Sequence, residues 1–407
     1  MTKGDIIVSL DIGTSKVRAI IGELNGSTLS IIGVGSADGE GIRKGSIVDI
    51  DKTVQSIREA VEHAERMVGI KIESAFIGIT GNHIALQPSH GVVAVSSPDR
   101  EIGDEDVDRV LQAAKVIAVP PEREIIGVVP KQFIVDSLDE ITDPRGMIGV
   151  RLEVEGSIIT GSRTIISNLV RCVERAGLHN AGLVLMPLAA SSIALSNDEK
   201  KLGVVLVDIG AGQTTVSVFE NGVLSALSVL PIGGDHVTND IAIGLRTQTE
   251  VAETVKLRYG YAMVSEASPE IMFKVSRIGS NVDKEFSQAE LANIIEPRMQ
   301  EIFSMVRREV ERLGYVKEIP SGYVLSGGVA CTPAVDKLAE FELEAPVRVA
   351  IPEYLGVRDS SFVNGVGIIQ YAIKNYVRRS HNASNTPAHR KAGGFIERVK
   401  GWFSEFV

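Results

Sequence analysis

The feature that most constrains this 407-residue chain is a phrase it uses twice: "IIVSLDIGTSKVRAIIGELNG" from Ile6 and "GVVLVDIGAGQTTVSVFENG" from Gly203. Each opens on an apolar run, residues 6–10 and 204–207, long enough for a buried strand. Each continues Asp-Ile-Gly, then small and hydroxyl-bearing residues, then a second strand rich in β-branched side chains. Each reaches Asn-Gly, at Asn25-Gly26 and Asn221-Gly222, the strongest short signal for a hairpin turn, and enters a third strand. Such a segment repeated half a chain apart implies an internal duplication, two like α/β domains facing each other across a cleft. The length agrees, since it exceeds what one hydrophobic core normally supports.

The chemistry follows from the turn. An aspartate at the end of a buried strand presents a carboxylate to the cleft, and glycine lets the following backbone N–H groups curl round an anion. The first copy places Asp11, Gly13, Thr14, Ser15 and Lys16 there, with hydroxyl donors and a cation. The second places Asp208, Gly210, Ala211, Gly212, Gln213 and Thr214, without the cation. Two such loops predict a grip on the β- and γ-phosphates of a nucleotide from opposite sides. Asp11 and Asp208 are then expected beside a magnesium ion, through its waters, because magnesium keeps several waters and needs few carboxylates. One Asp-x-Gly turn is commonplace; two in matched frames are not.

A third loop, "GYVLSGGVACTP", reads as a strand over 323–325, then Ser326, Gly327 and Gly328, then a helix starting near Pro333. Paired glycines let the backbone approach an α-phosphate and ribose. In "VAETVKLRYG", Glu253 and Lys256 stand at i, i+3 of a helix, presenting two polar heads to a ribose or base or forming an ordinary surface ion pair.

Composition sets outer limits. Hydrophobic content of 44% and charged content of 23% are ordinary for a soluble globular protein, and no window offers the ~20 apolar residues of a spanning helix. The start runs straight into a strand pattern, so no secretory leader is expected. Two cysteines, Cys172 and Cys331, give no disulfide framework, fit a reducing cytoplasm, and read as small core residues. A net charge of −10 argues against a nucleic-acid partner.

Taken in order, the three loops resemble the nucleotide sites of the actin, heat-shock chaperone and sugar-kinase superfamily. The resemblance narrows to the FtsA family of bacterial cell-division proteins on "FIGITGNHI" from Phe76, "DPRGMIGVRLE" from Asp143, "LMPLAASSIAL" from Leu185 and "LPIGGDHVTNDIA" from Leu230, together with an aromatic tail. Only about fifteen residues separate the first hairpin from the helix expected over 51–68, where actin places a whole subdomain; the extra material lies over 84–163 instead. The implied fold is α/β: an actin-like (ribonuclease H-like) duplicated two-domain nucleotide-binding fold with a relocated, FtsA-type subdomain in the first half. The expected division is 1–83 and 164–190 for the first domain, closed by a helix over 360–377, with 84–163 inserted. The second domain takes 191–230 and 305–359, and its smaller subdomain 231–304.

The resemblance also implies partners. They are ATP and Mg2+, neighbouring subunits in an actin-like filament reached partly through the insertion, other division proteins, and the C-terminal peptide of the tubulin-like FtsZ. That peptide is expected on the helix "ANIIEPRMQEIF", where Arg298 is the candidate grip on its acidic groups or else lies on a solvated face; Pro297 there removes an N–H. No catalytic residue is assigned, and ATP turnover is expected to be slow at most.

The tail concentrates what the body lacks. The only tryptophan and three of eleven phenylalanines fall at the very end. Residues 378–393 are polar and basic, with Pro and Gly, and read as a flexible linker; 394–407 read as an amphipathic helix. Phe395, Ile396, Val399, Trp402, Phe403 and Phe406 keep one face, with charged residues opposite. From Arg378 onward the net charge is +4 against −14 for the body. Aromatic and basic faces on a tether suit an anionic bilayer; docking on the chain's own domain or in a partner groove is the alternative. The expected protein is thus a peripheral membrane adaptor that polymerises and ties FtsZ to the cytoplasmic face of the plasma membrane at the septum. A small-molecule kinase of the same superfamily is the rival, but no aspartate base for a substrate is apparent; a chaperone would need a peptide-binding domain for which the tail is too short.

Overall fold

A computed structural model describes residues 4–279, 282–315 and 319–377. The expected linker and tail helix, and with them Phe395, Ile396, Val399, Trp402, Phe403 and Phe406, lie outside the described residues. The duplication is written in the sheets. In the first domain β1 (Asp5–Ile12), β2 (Lys16–Asn25) and β3 (Thr28–Asp38) form an antiparallel meander. A two-strand hairpin, β4 (Ile42–Arg43) and β5 (Ser46–Ile47), leads to α1 (Ile50–Val68), and β6 (Ser74–Ile79) then pairs parallel to β1.

The insertion follows as β7 (Ala85–Ala94), α2 (Asp104–Ala114), β8 (Arg123–Val135), β9 (Leu138–Ile141) and β10 (Arg151–Ser162), a four-stranded sheet of order β7-β10-β8-β9. Its own core includes Ile102, Val107, Val110, Phe133, Leu152 and Val154, with α2 covering one face. The chain returns through α3 (Arg163–Arg175), β11 (His179–Leu185) and α4 (Met186–Ala194). The first sheet has order β11-β6-β1-β2-β3.

After α5 (Asn197–Leu202), the second domain repeats the plan with β12 (Val204–Ile209), β13 (Thr214–Glu220) and β14 (Val223–Leu230). Then come α6 (Gly234–Leu245), α7 (Thr249–Tyr259), a small ribbon β15 (Met272–Val275) and β16 (Lys284–Ser287), and the long α8 (Gln288–Arg312). The domain closes with β17 (Tyr323–Ser326), α9 (Val335–Leu343) and β18 (Val347–Val349), giving the order β14-β13-β12-β17-β18. Reversed, this is the first sheet strand for strand. Finally α10 (Val363–Ala372) crosses back to pack on α4 and β1 of the first domain.

The local causes are legible. Helix α1 starts where the Asp49 carboxylate accepts from the Lys52 N–H, and it ends where Gly69 turns left-handed at φ 73. Val54, Ile57, Ala60, Val61 and Ala64 form its buried face against the first sheet, so Ile57→Ala would cost about 2–5 kcal/mol. A separate apolar cluster joins the two sheets: Leu185 of β11 and Ala190 and Ala194 of α4 meet Leu206, Phe219, Leu224 and Val324 of the second sheet's strands, with Ile159 of the insertion alongside. This shared core packs the two domains against each other.

Two sequence expectations are corrected here, and a third, the helix near Pro333, holds with a short turn added before it. The two Asn-Gly turns are one residue out of step: Asn25 pairs with Thr28, leaving Gly26-Ser27 as the turn, whereas Asn221-Gly222 is itself the turn, both residues at positive φ. The third loop passes through a short 3-10 turn, Gly328–Cys331, before α9 begins at Val335. Cys172 is buried as expected but Cys331 is exposed, because that turn brings it to the surface.

Candidate functional site

β1 and β12 end at equivalent points, each with an aspartate one residue before its last. In both copies the next turn closes identically: Gly13 donates to the Lys16 carbonyl at 3.0 Å, and Gly210 to the Gln213 carbonyl at 3.0 Å. A second glycine roofs each loop. A methyl on Gly39 would lie 2.6 Å from the Gly13 carbonyl oxygen, and one on Gly233 2.4 Å from that of Gly210. Neither site admits a side chain. The loops also touch across the cleft, since a methyl on Gly212 would fall 2.9 Å from the Thr14 hydroxyl.

The carboxylates line the cleft between them. Asp11 is buried, and desolvation pushes its pKa up to about 6, opposed by the Arg18 cation and reinforced by Asp208. Burial raises Asp208 too, but Asn364 and Ser326 donate to its two oxygens at 3.1 Å each, favouring the charged form. Asn364 reaches Asp208 from the start of α10, so an element packed on the first domain holds the second domain's carboxylate. The Asn364 Oδ1 is buried without a hydrogen-bond partner. A cavity of about 10 Å3 beside Asp208, lined also by Met186, Thr215 and Ser217, has room for one water.

The donor set suits magnesium. Among the described residues no group of three or more His, Cys, Asp or Glu gathers as a metal cage. Two carboxylates flanked by N–H-lined loops match an ion that keeps its waters and shares itself with phosphates. Asp11 and Asp208 would hold it, and the ion would supply charge neutralisation for the phosphates.

The remaining predicted residues divide. Thr14, Ser15 and Gly328 are open to the cleft or surface, and Gly328 has nothing within 4 Å of where a side chain would start. Lys16 is exposed and paired with Asp38. Thr214 is fully buried and spends its hydroxyl on the Ile232 carbonyl at 2.8 Å, so it braces the loop from behind. Ser326 is committed to Asp208, and Gly327 (φ 92) packs against the Ile209 carbonyl. Ala211 has its carbonyl taken by the Asp235 N–H at the start of α6. Glu253 and Lys256 pair at 2.6 Å, but Lys256 also donates to Gly234 O and to Thr238 Oγ1, which ties α7 to the beginning of α6 next to the loop. Arg298 stands apart on α8, bidentate on Asp240 of α6 at 2.6 and 3.1 Å and paired with Glu301, so its charge is already balanced.

Sequence reasoning missed Arg18, Asn364 and Ser361. Arg18 lies opposite Asp11 in the β1–β2 register, donates to Ser361 at 3.0 Å and stacks on Phe362. Nothing in the spacing of residues 18 and 361 announces that meeting.

Two sheets of one plan, joined beneath a cleft whose paired loops carry the polar groups, define an actin-like protein. Solved structures of that fold superpose: the PilM-PilN type IV pilus biogenesis complex (TM-score 0.64, 17% identity, 90% of this chain and 98% of that one). MreB5 of Spiroplasma citri bound to AMPPNP also matches (0.57, 14%, 94% and 99%), as does the MamK double helical filament (0.51, 13%, 90% and 98%). Sequence goes further. The family model described as "Cell division protein FtsA" matches residues 205–367, and "SHS2 domain inserted in FTSA" matches 81–160. FtsA of Bacillus subtilis is 54% identical over 92% of this chain and 85% of its own length; that of Pseudomonas aeruginosa is 38% identical over 98% and 97%. The chain belongs to the FtsA family of actin-like cell-division proteins.

Proposed function

We propose that the cleft binds magnesium-ATP and that nucleotide-bound subunits polymerise and anchor FtsZ to the membrane at the division septum. The facing pair Asp11 and Asp208, each behind an identical N–H-lined turn, carries the nucleotide reading. The bound AMPPNP of the MreB5 structure and the filament of MamK are compatible with it. The loops and their flanking residues bind and orient phosphate; the shared core beneath transmits closure between domains. The reading is of a nucleotide-binding protein whose turnover, if any, is slow.

Membrane attachment rests on the sequence of 394–407, since no helix among the described residues is long and apolar enough to cross a membrane. A short amphipathic helix binds weakly alone, and a filament multiplies it through avidity by roughly 10²–10⁴. An FtsZ peptide at Arg298 would have to displace Asp240 or Glu301, so the interaction is an exchange of carboxylates rather than the capture of a bare cation. The decisive experiment is pelleting of the full chain with anionic vesicles, with and without magnesium-ATP. The parent should pellet and more so with ATP, and Trp402→Glu should stay in solution. Equal pelleting of parent and variant overturns the anchor; no calorimetric ATP signal overturns the site.

A further inference from the structure

The stretch between β3 and α1 carries only a hairpin of a few residues, and that hairpin reaches the other domain. It is fixed to its own: Gly39 N–H donates to Ser15 O at 2.8 Å, Val48 and Asp49 N–H both donate to Gly41 O, and Ile42 is buried. Gly41 (φ 76), Lys44 (φ 49) and Gly45 (φ 73) are left-handed, which folds the tip back sharply. That tip touches the second phosphate loop. A methyl on Gly45 would lie 2.7 Å from the Gln213 amide oxygen, and one on Gly212 3.2 Å from the Lys44 backbone nitrogen. The stretch therefore reaches both loops, the first through Gly39 at its base and the second through Lys44 and Gly45 at its tip.

Its charge stands out against the rest of the site. Lys16 is paired with Asp38, Lys256 with Glu253, and Arg18 is tied to Ser361 behind the carboxylates. Arg43 and Lys44 are exposed, and neither has an acidic partner among the described residues. A magnesium ion held by Asp11 and Asp208 would answer only part of a triphosphate's negative charge, and the Arg43–Lys44 tip is the exposed, unpaired positive charge next to the second loop.

We propose that the Arg43–Lys44 tip reads the terminal phosphate of a nucleoside triphosphate, so that tri- and diphosphate are told apart by a hairpin spanning both domains. This rests on the nucleotide reading of the cleft. A diphosphate, gripped by the loops alone, leaves the tip without its anion; a triphosphate supplies it and fastens the hairpin across the domain boundary. The test is calorimetric titration of the full chain with magnesium-ATP and magnesium-ADP, comparing the parent, the R43Q/K44Q double variant and Lys337→Gln as a distant charge control. The double variant should lose roughly tenfold in ATP affinity, as for one charge-assisted contact, with ADP changed by less than about twofold and the control unchanged. Hydrogen exchange at 42–47 should slow with ATP more than with ADP in the parent, and equally with both in the variant. Both substitutions are at exposed positions, and each single variant gives the same readout if the double one melts early. Equal losses for ATP and ADP, or no loss, overturn the hairpin while leaving the site; a parent that binds neither nucleotide overturns both.

Discussion

The two Asp-Ile-Gly loops share a backbone and differ in what their side chains do. Both close on the same glycine-to-carbonyl hydrogen bond and both are roofed by a glycine. The first leaves Ser15 exposed and Thr14 half-buried without a side-chain hydrogen bond among the described residues, with Lys16 paired to Asp38 at the surface. The second turns inward: Thr214 holds Ile232, and Asp208 is met by Ser326 and Asn364, while no hydrogen bond reaches the Asp11 carboxylate among the described residues. The two copies keep one backbone closure and differ in their side chains, the second loop's hydroxyl and carboxylate being tied into the fold where the first loop's are not. Equivalent residues are therefore not interchangeable.

The strongest way to break that contrast is to remove each carboxylate. Both Asp11→Ala and Asp208→Ala are expected to weaken magnesium-ATP binding on the order of 100-fold, as for loss of contacts to a charged group. Calorimetry at neutral pH reads it. An effect confined to one of them would show that the ion belongs to one loop.

Next is stability without nucleotide. Asp11 titrates near 6 in the fold against 3.8 unfolded, so the folded chain binds the extra proton between those values. Stability contributed by this group is thus lost as pH rises from about 4 to above 6, a cost of up to about 3 kcal/mol at pH 8. Asp11→Asn should raise the apo melting temperature at pH 8, with the gain shrinking toward pH 4. Asp208→Asn should gain less, because the donors from Asn364 and Ser326 already favour its charge. Equal gains would erase the distinction between the loops.

What was legible beforehand follows from range. Each strand–turn–strand segment is complete within a short local stretch, so comparing residues 6–26 with 203–222 exposed both loops, and the missing room before α1 exposed the relocated insertion. The hairpin Ile42–Ile47 has strands of two residues, too short to show alternation. Arg18 with Ser361, and Asp208 with Asn364, are long-range meetings made by α10 crossing between domains, which no local pattern encodes. Arg298 was legible as a helix-face cation, yet its partner Asp240 is supplied by another helix.

A smaller effect tests the shared backbone. Gly39→Ala and Gly233→Ala each drive a methyl into loop carbonyls at 2.6 and 2.4 Å and should cost about 1–3 kcal/mol in denaturant unfolding. The two costs should match within error, because the roofs are equivalent even where the side chains beneath them are not.

The smallest effect belongs to Lys16, the cation that most plainly distinguished the first loop in the sequence. Its side chain is 45% exposed and pairs with Asp38, itself 79% exposed, across the β2–β3 pairing. An exposed pair of this kind contributes on the order of 0.5 kcal/mol or less, and an ammonium already facing a carboxylate in water has little left for a phosphate. Lys16→Gln should therefore change ATP affinity by no more than about threefold. Asp38→Asn frees the ammonium, and affinity should then rise slightly, more so at low salt. A tenfold loss in Lys16→Gln would mean that the nucleotide draws the lysine away from Asp38. The asymmetry between the loops would then be one of charge as well as of burial.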